Sequence, residues 1–132
     1  MLNDYAKFVD TTTSNESKSE YAFGEHFMRL GRQHPDIGWS RLMTSAIGML
    51  AESGEFAEVM KKILFQGKEM NEDVVKHLRS ELGDIMWYVA QGCVALGTSI
   101  EELIDINTAK LESRYPGGFE AFRSENRSKD DI

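Results

Sequence analysis

The sequence has 132 residues, 41% hydrophobic and 28% charged, enough for one domain with one core and ordinary for a chain that folds in water. A formal net charge of −7 and a pI near 5.0 argue against duplex nucleic acid as a partner, because binding a polyanion needs clustered Lys and Arg. Cys93 is the only cysteine, so an internal disulfide is excluded. With no leader-like start and no apolar run long enough to span a bilayer, the chain is expected in the cytoplasm.

In chain order, a short helix is expected over residues 4–9, giving way to Thr11-Thr12-Thr13-Ser14-Asn15, residue types that favour caps and turns. A second helix is expected over 17–32, broken by His34-Pro35-Asp36-Ile37-Gly38, and a long third over 40–65. After the short connection Gln66-Gly67-Lys68-Glu69-Met70, Asn71 is a natural N-cap for a helix over 72–96, and Gly97 fits its stop. Ser99-Ile100-Glu101-Glu102 has capping-box spacing and opens a last helix that must end before Pro116-Gly117-Gly118. Residues 123–132 read as a polar tail that orders only against a partner, and few segments favour strands.

Two acidic signatures lie on the long helices, Glu52-Ser53-Gly54-Glu55 and Glu81-Leu82-Gly83-Asp84. In each, the two carboxylates are three residues apart and share one side of a helix. If the two helices form a hairpin, Glu55 and Glu81 stand at similar heights above the connection, with Glu52 and Asp84 on the next level. Leu78, Leu82, Ile85 and Val89 are expected to form the apolar seam of one helix, and Met49, Phe56, Met60 and Ile63 that of the other. The stripes Glu81, Asp84, Tyr88 and Glu52, Glu55, Val59, Lys62 then flank those seams and can face each other. Four carboxylates in one cleft repel unless a cation sits among them, and oxygen-only ligands suit Mg²⁺ or Mn²⁺. Either signature alone reads as a solvated charge pattern; the pairing, with Gly48, Gly54 and Gly83 close by, is what points to a site. A helix-interior glycine costs roughly 1 kcal/mol relative to alanine, so these three suggest close approach of a helix or ligand.

On the last helix Asn107, Lys110 and Arg114 share one face, which suits a polyphosphate or, equally, a solvated helix end. Trp39 could stack on a base or anchor packing. Lys62 could reach a phosphate or complement its helix dipole, and His77 could meet a metal or substrate or be an ordinary surface histidine.

The segments Gly48-Met49-Leu50-Ala51-Glu52-Ser53-Gly54-Glu55, Glu81-Leu82-Gly83-Asp84-Ile85-Met86-Trp87-Tyr88 and Asn107-Thr108-Ala109-Lys110-Leu111-Glu112-Ser113-Arg114-Tyr115-Pro116 resemble, in order, the motifs of MazG-like nucleoside triphosphate pyrophosphohydrolases. The resemblance covers roughly residues 40–118 and is closest to the small single-domain members carried by tailed phages; Phe65-Gln66-Gly67-Lys68 and Ser124-Glu125-Asn126-Arg127 add to it. It implies an all-α antiparallel helical bundle with a central helix hairpin, residues 1–132 forming one domain that assembles as a dimer or dimer of dimers. It also implies Mg²⁺-dependent hydrolysis of a (d)NTP, with a lean toward deoxynucleotides such as dGTP, to the monophosphate and pyrophosphate; Mn²⁺ could substitute. Carried over by position, Glu52, Glu55, Glu81 and Asp84 are the metal ligands, with Glu52 favoured over Glu55 as proton acceptor, and Asn107, Lys110 and Arg114 hold phosphates, with Tyr88 a further pocket candidate. Ala51 stands where the family often doubles the acid, a departure shared with the small branch. Seven Met, seven Phe and two Trp leave apolar side chains for a subunit interface. The rivals are a helical interaction module using its acidic face and a phosphatase releasing phosphate. A di-iron bundle is disfavoured, since none of His26, His34 and His77 follows an acid by three residues.

Overall fold

The computed structural model describes residues 2–126, and their regular structure is helical: α1 (Leu2–Thr12), α2 (Glu20–Gln33), α3 (Trp39–Phe65), α4 (Glu72–Leu96), α5 (Ile100–Arg114) and α6 (Ala121–Glu125). An isolated bridge between Pro116 and Gly118 is the one strand-like pairing among the described residues. None of the described helices is long and apolar enough to cross a membrane.

Local chemistry sets the boundaries. Asn71 Oδ1 accepts from the Val74 N–H at 3.0 Å and Ser19 Oγ from the Ala22 N–H at 3.2 Å, each satisfying a donor at a helix start. Gly97, at φ 67°, takes the left-handed conformation that ends α4, and Thr98 N–H closes back on the Cys93 carbonyl at 3.0 Å. The capping box at α5 is half made. Ser99 Oγ accepts from Glu102 N–H at 3.1 Å, whereas the Glu102 carboxylate takes the Thr98 hydroxyl. The first helix runs past its expected end at residue 9, because the hydroxyls of Thr11, Thr12 and Thr13 bond back to carbonyls one turn earlier and let the helix continue. The second starts later than expected, at Glu20, where Ser19 caps it. In the tail, α6 forms and Arg123 pairs with Glu120 at 2.9 Å; the rest, 127–132, including Arg127 of the Ser124–Arg127 stretch, lies outside the described residues.

The dominant packing is between α3 and α4, which run antiparallel, with α2 resting on α3 and α5 on α4. Small residues line the contact. Gly38 N–H donates to the Ala95 carbonyl at 2.8 Å, and the fully buried Ser45 donates its hydroxyl to the Tyr88 carbonyl at 2.7 Å. A Cβ built on Gly92 would lie 2.8 Å from Ser45 Oγ, and one on Gly48 would lie 2.1 Å from the Tyr88 ring. Together with Val59 and Val74, both buried, these positions recur at steps of 7, 3 and 11 residues along one side of the contact and 14, 4 and 3 along the other, the spacing of a close helix seam.

The expected seam is largely kept: Met49, Phe56, Met60 and Ile63 of α3 and Leu78, Ile85 and Val89 of α4 are half-buried, whereas Leu82 is 51% exposed and Glu81, only 6% exposed, sits in the contact face in its stead. The reason is steric: glycine, serine and alanine allow the backbones close together, which leaves little room for a leucine at that point. Ile47, Leu50, Met86 and Trp87 are also exposed, as are Tyr5 and Phe8 of α1. The chain presents 10586 Å² to solvent, where a folded monomer of its mass, 15.0 kDa, presents about 7,000 Å².

Candidate metal centre

Glu52 and Glu55, one turn apart on α3, meet Glu81 across the seam from α4, and each offers an oxygen such that all three lie within 4.8 Å of one another. Burial grades across the group, from exposed Glu55 through half-buried Glu52 to buried Glu81. The separation follows from the packing beside it, since Gly48 lies one turn before Glu52 and Tyr88 just under two turns after Glu81. Glu52 is pushed above the usual carboxylate value by burial first, then by the charges of Glu55, Asp84 and Glu81.

Glu81 carries the most informative atoms. Its Oε1 lies 2.8 Å from His77 Nε2, one turn back on α4, while Oε2 is buried with no hydrogen-bond partner. A buried carboxylate oxygen without a donor is costly, and among other carboxylates the partner that relieves it is a cation. The residues therefore fit a hard divalent ion such as Mg²⁺ or Mn²⁺, which takes oxygen ligands.

The other sequence candidates are distributed more widely. Asp84 is exposed and stands outside the three-carboxylate group, although its charge is felt at Glu52. The Tyr88 ring lies on Gly48 and makes an edge contact with Trp87 at 4.9 Å, so it closes the seam beside the acids. Of the three glycines read as close-approach positions, only Gly48 serves helix packing; Gly54 and Gly83 have nothing within 4 Å. Lys62 is engaged with Glu58 at 3.2 Å, and Lys61 also pairs with Glu58, holding that carboxyl below its usual range. Trp39 lies thirteen residues before Glu52, about 20 Å along α3, with its indole against His34 at 6.2 Å and its Nε1 buried and unpartnered. On α5, Asn107 is exposed while Lys110 and Arg114 are half-buried, the Arg114 guanidinium lying 5.9 Å from the Tyr115 ring centroid. Sequence reasoning missed Ser45 and Gly92, whose signal was a small-residue repeat matched between two helices, and the His77–Glu81 bond, whose signal was their four-residue spacing.

Residues 43–119 match the MazG nucleotide pyrophosphohydrolase domain, a stretch that includes both acidic signatures and the α5 face. The gene 37 protein of Mycobacterium phage L5 is 36% identical over 83 residues, which cover 61% of this chain and 72% of that protein. No solved structure gives a significant match. With a match over more than half its length, and with the three motifs in order along α3, α4 and α5, the chain belongs to the MazG nucleotide pyrophosphohydrolase domain family.

Proposed function

We propose that the protein is a cytoplasmic (d)NTP diphosphatase that cleaves between the α and β phosphates to give a (d)NMP and pyrophosphate, with Mg²⁺ as its ion and Mn²⁺ able to replace it. The observation that carries this reading is the clustering of Glu52, Glu55 and Glu81 around a Glu81 carboxylate that is buried and has one oxygen, Oε2, without a hydrogen-bond partner. In this reading Glu52, Glu55 and Glu81 hold the ion, and Asp84 adds a ligand at the open edge. A bound divalent ion supplies charge neutralisation for the triphosphate and lowers the pKa of water nearby.

The protein's own groups do the rest. Glu52, half-buried beside Glu55 and Glu81, is the acceptor for the attacking water's proton. Asn107, Lys110 and Arg114 hold the phosphate chain, and the two cations among them stabilise charge on the departing pyrophosphate. Tyr88 borders the acids and limits the pocket on one side. Lys62, paired with Glu58 when no nucleotide is bound, is a further candidate to meet a phosphate, and Trp39, roughly 20 Å along α3 from the acids, is a candidate to stack on the base. Residues 1–132 act as one domain, and a second copy completes the helical bundle over the exposed faces of α3 and α4, as a dimer or a dimer of dimers. Deoxynucleotides, dGTP among them, are the favoured substrates.

The test is incubation of the purified protein with a panel of (d)NTPs and Mg²⁺, resolving mono- and diphosphate, pyrophosphate and phosphate. Monophosphate plus pyrophosphate, lost in Glu52→Ala, is the expected result. Release of phosphate would indicate a phosphatase instead, and no turnover with any nucleotide would leave the acidic face as a docking surface for a basic partner.

A further inference from the structure

We infer that His77 is a positioning residue for the cation site: by engaging Oε1 of Glu81 it holds that carboxylate in its place beside Glu52 and Glu55. This rests on the reading of those three carboxylates as a divalent-cation site. The geometry is specific. His77 Nε2 lies 2.8 Å from Glu81 Oε1, within reach for an imidazole N–H to donate to the carboxylate. The Glu81 side chain is 8% exposed, whereas the His77 side chain is 53% exposed. The donor therefore sits at the solvent edge and its acceptor in the interior.

Without that donor, both Glu81 oxygens would lie in a crowded, anionic interior, and the carboxylate would be drawn to turn toward water and away from Glu52 and Glu55. With it, one oxygen is satisfied and the other is left as the ligand atom. Outer partners of this kind orient metal-binding carboxylates, and their removal commonly weakens metal affinity by 10- to 100-fold. His77 itself lies outside the three-carboxylate group, which separates its role from that of a ligand.

The experiment is Mn²⁺ binding to the full chain without nucleotide, read by the loss of the free-ion electron paramagnetic resonance signal, for wild type, Glu81→Gln, His77→Ala and His77→Gln. Urea midpoints of the metal-free proteins accompany it. Wild type should bind, Glu81→Gln should lose binding, and His77→Ala should bind roughly 10- to 100-fold more weakly with little change in the metal-free midpoint. His77→Gln, whose amide can donate from a similar position, should recover most of the affinity. Wild-type affinity in His77→Ala, with Glu81→Gln defective, overturns the His77 assignment and leaves the cation site standing. Equal loss in His77→Ala and His77→Gln also overturns it, in favour of direct ligation by the imidazole. A wild type that binds no Mn²⁺ overturns the cation site and this inference together.

Discussion

Tyr88 on α4 rests against the backbone of Gly48 on α3 so closely that a β-carbon at position 48 would stand 2.1 Å from ring atom Cε1. The overlap is with the body of a half-buried ring, so relief requires the helices to move apart. Gly48→Ala should therefore lower stability by about 1–3 kcal/mol, the usual cost of overpacking, measured from urea unfolding. In a Tyr88→Ala background the same change should cost little or stabilise, since the obstruction is gone and alanine is the better helix former by roughly 1 kcal/mol. A penalty that persists without the ring would show that the contact does not set the helix separation.

Much of this arrangement was legible in the sequence, and the part that was not has a physical reason. Asn71 and Gly97 bound α4 where cap chemistry puts them, because those signals are local. The three clustered acids were readable from spacing and motif. The exposure of Leu82 was not, because counting bulky apolar residues put it in the seam, whereas the closest contacts are made by Ser45, Gly48, Gly92 and Ala95, which a hydrophobicity pattern underrates. Glu81 consequently lies inside the seam and Asp84 outside the carboxylate group, a distinction that two acids in one motif cannot reveal by themselves.

Cation binding should appear as stability. An ion that binds only the folded state raises the unfolding free energy by about 2.7 kcal/mol at a hundred times its Kd. Thermal scans with and without Mn²⁺ should show a clear upward shift for wild type. Glu81→Gln removes a charge from the crowded group, so its metal-free form should unfold no lower than metal-free wild type, yet gain nothing from Mn²⁺. A shift of wild-type size in Glu81→Gln would move the site elsewhere.

Glu52 gives the metal-free protein a definite pH signature. Its carboxyl is held above the usual 4.5 by burial, then by Glu55, Asp84 and Glu81, so the folded chain keeps a proton that the unfolded chain has released. Its contribution to stability therefore falls as pH rises from the ordinary carboxylate value through the raised folded one, and the penalty is complete above it. Glu58 and Glu101, both held below the usual value, act in the opposite sense, losing stabilisation as pH falls. The difference between wild type and Glu52→Gln isolates the Glu52 part. In EDTA, the glutamine variant should gain stability over wild type near pH 7.5, and that advantage should shrink toward pH 5. An advantage independent of pH would mean the gain is not electrostatic.

Met43, Ile47 and Leu50 recur at four- and three-residue steps on the outer face of α3, and all are exposed, Leu50 at 76%. Leu82 and Met86 form a matching pair on α4. The accessible area exceeds that of a folded monomer by about 3,500 Å², well above the roughly 800 Å² per partner of a standard interface. Each such side chain contributes about 1.5–3 kcal/mol when fully buried, so a second copy covering this face would add substantially to the stability of both. Light scattering should give at least twice the chain mass of 15.0 kDa, and Ile47→Glu, which places a charge in the middle of the stripe, should yield monomer with a lower urea midpoint. Because Glu52 follows Leu50 on the same helix, the variant should also bind Mn²⁺ less tightly if the second copy steadies α3 around the acids. A wild type that is monomeric at micromolar concentration would leave these faces to some other partner and remove the basis for a bundle completed by a second chain.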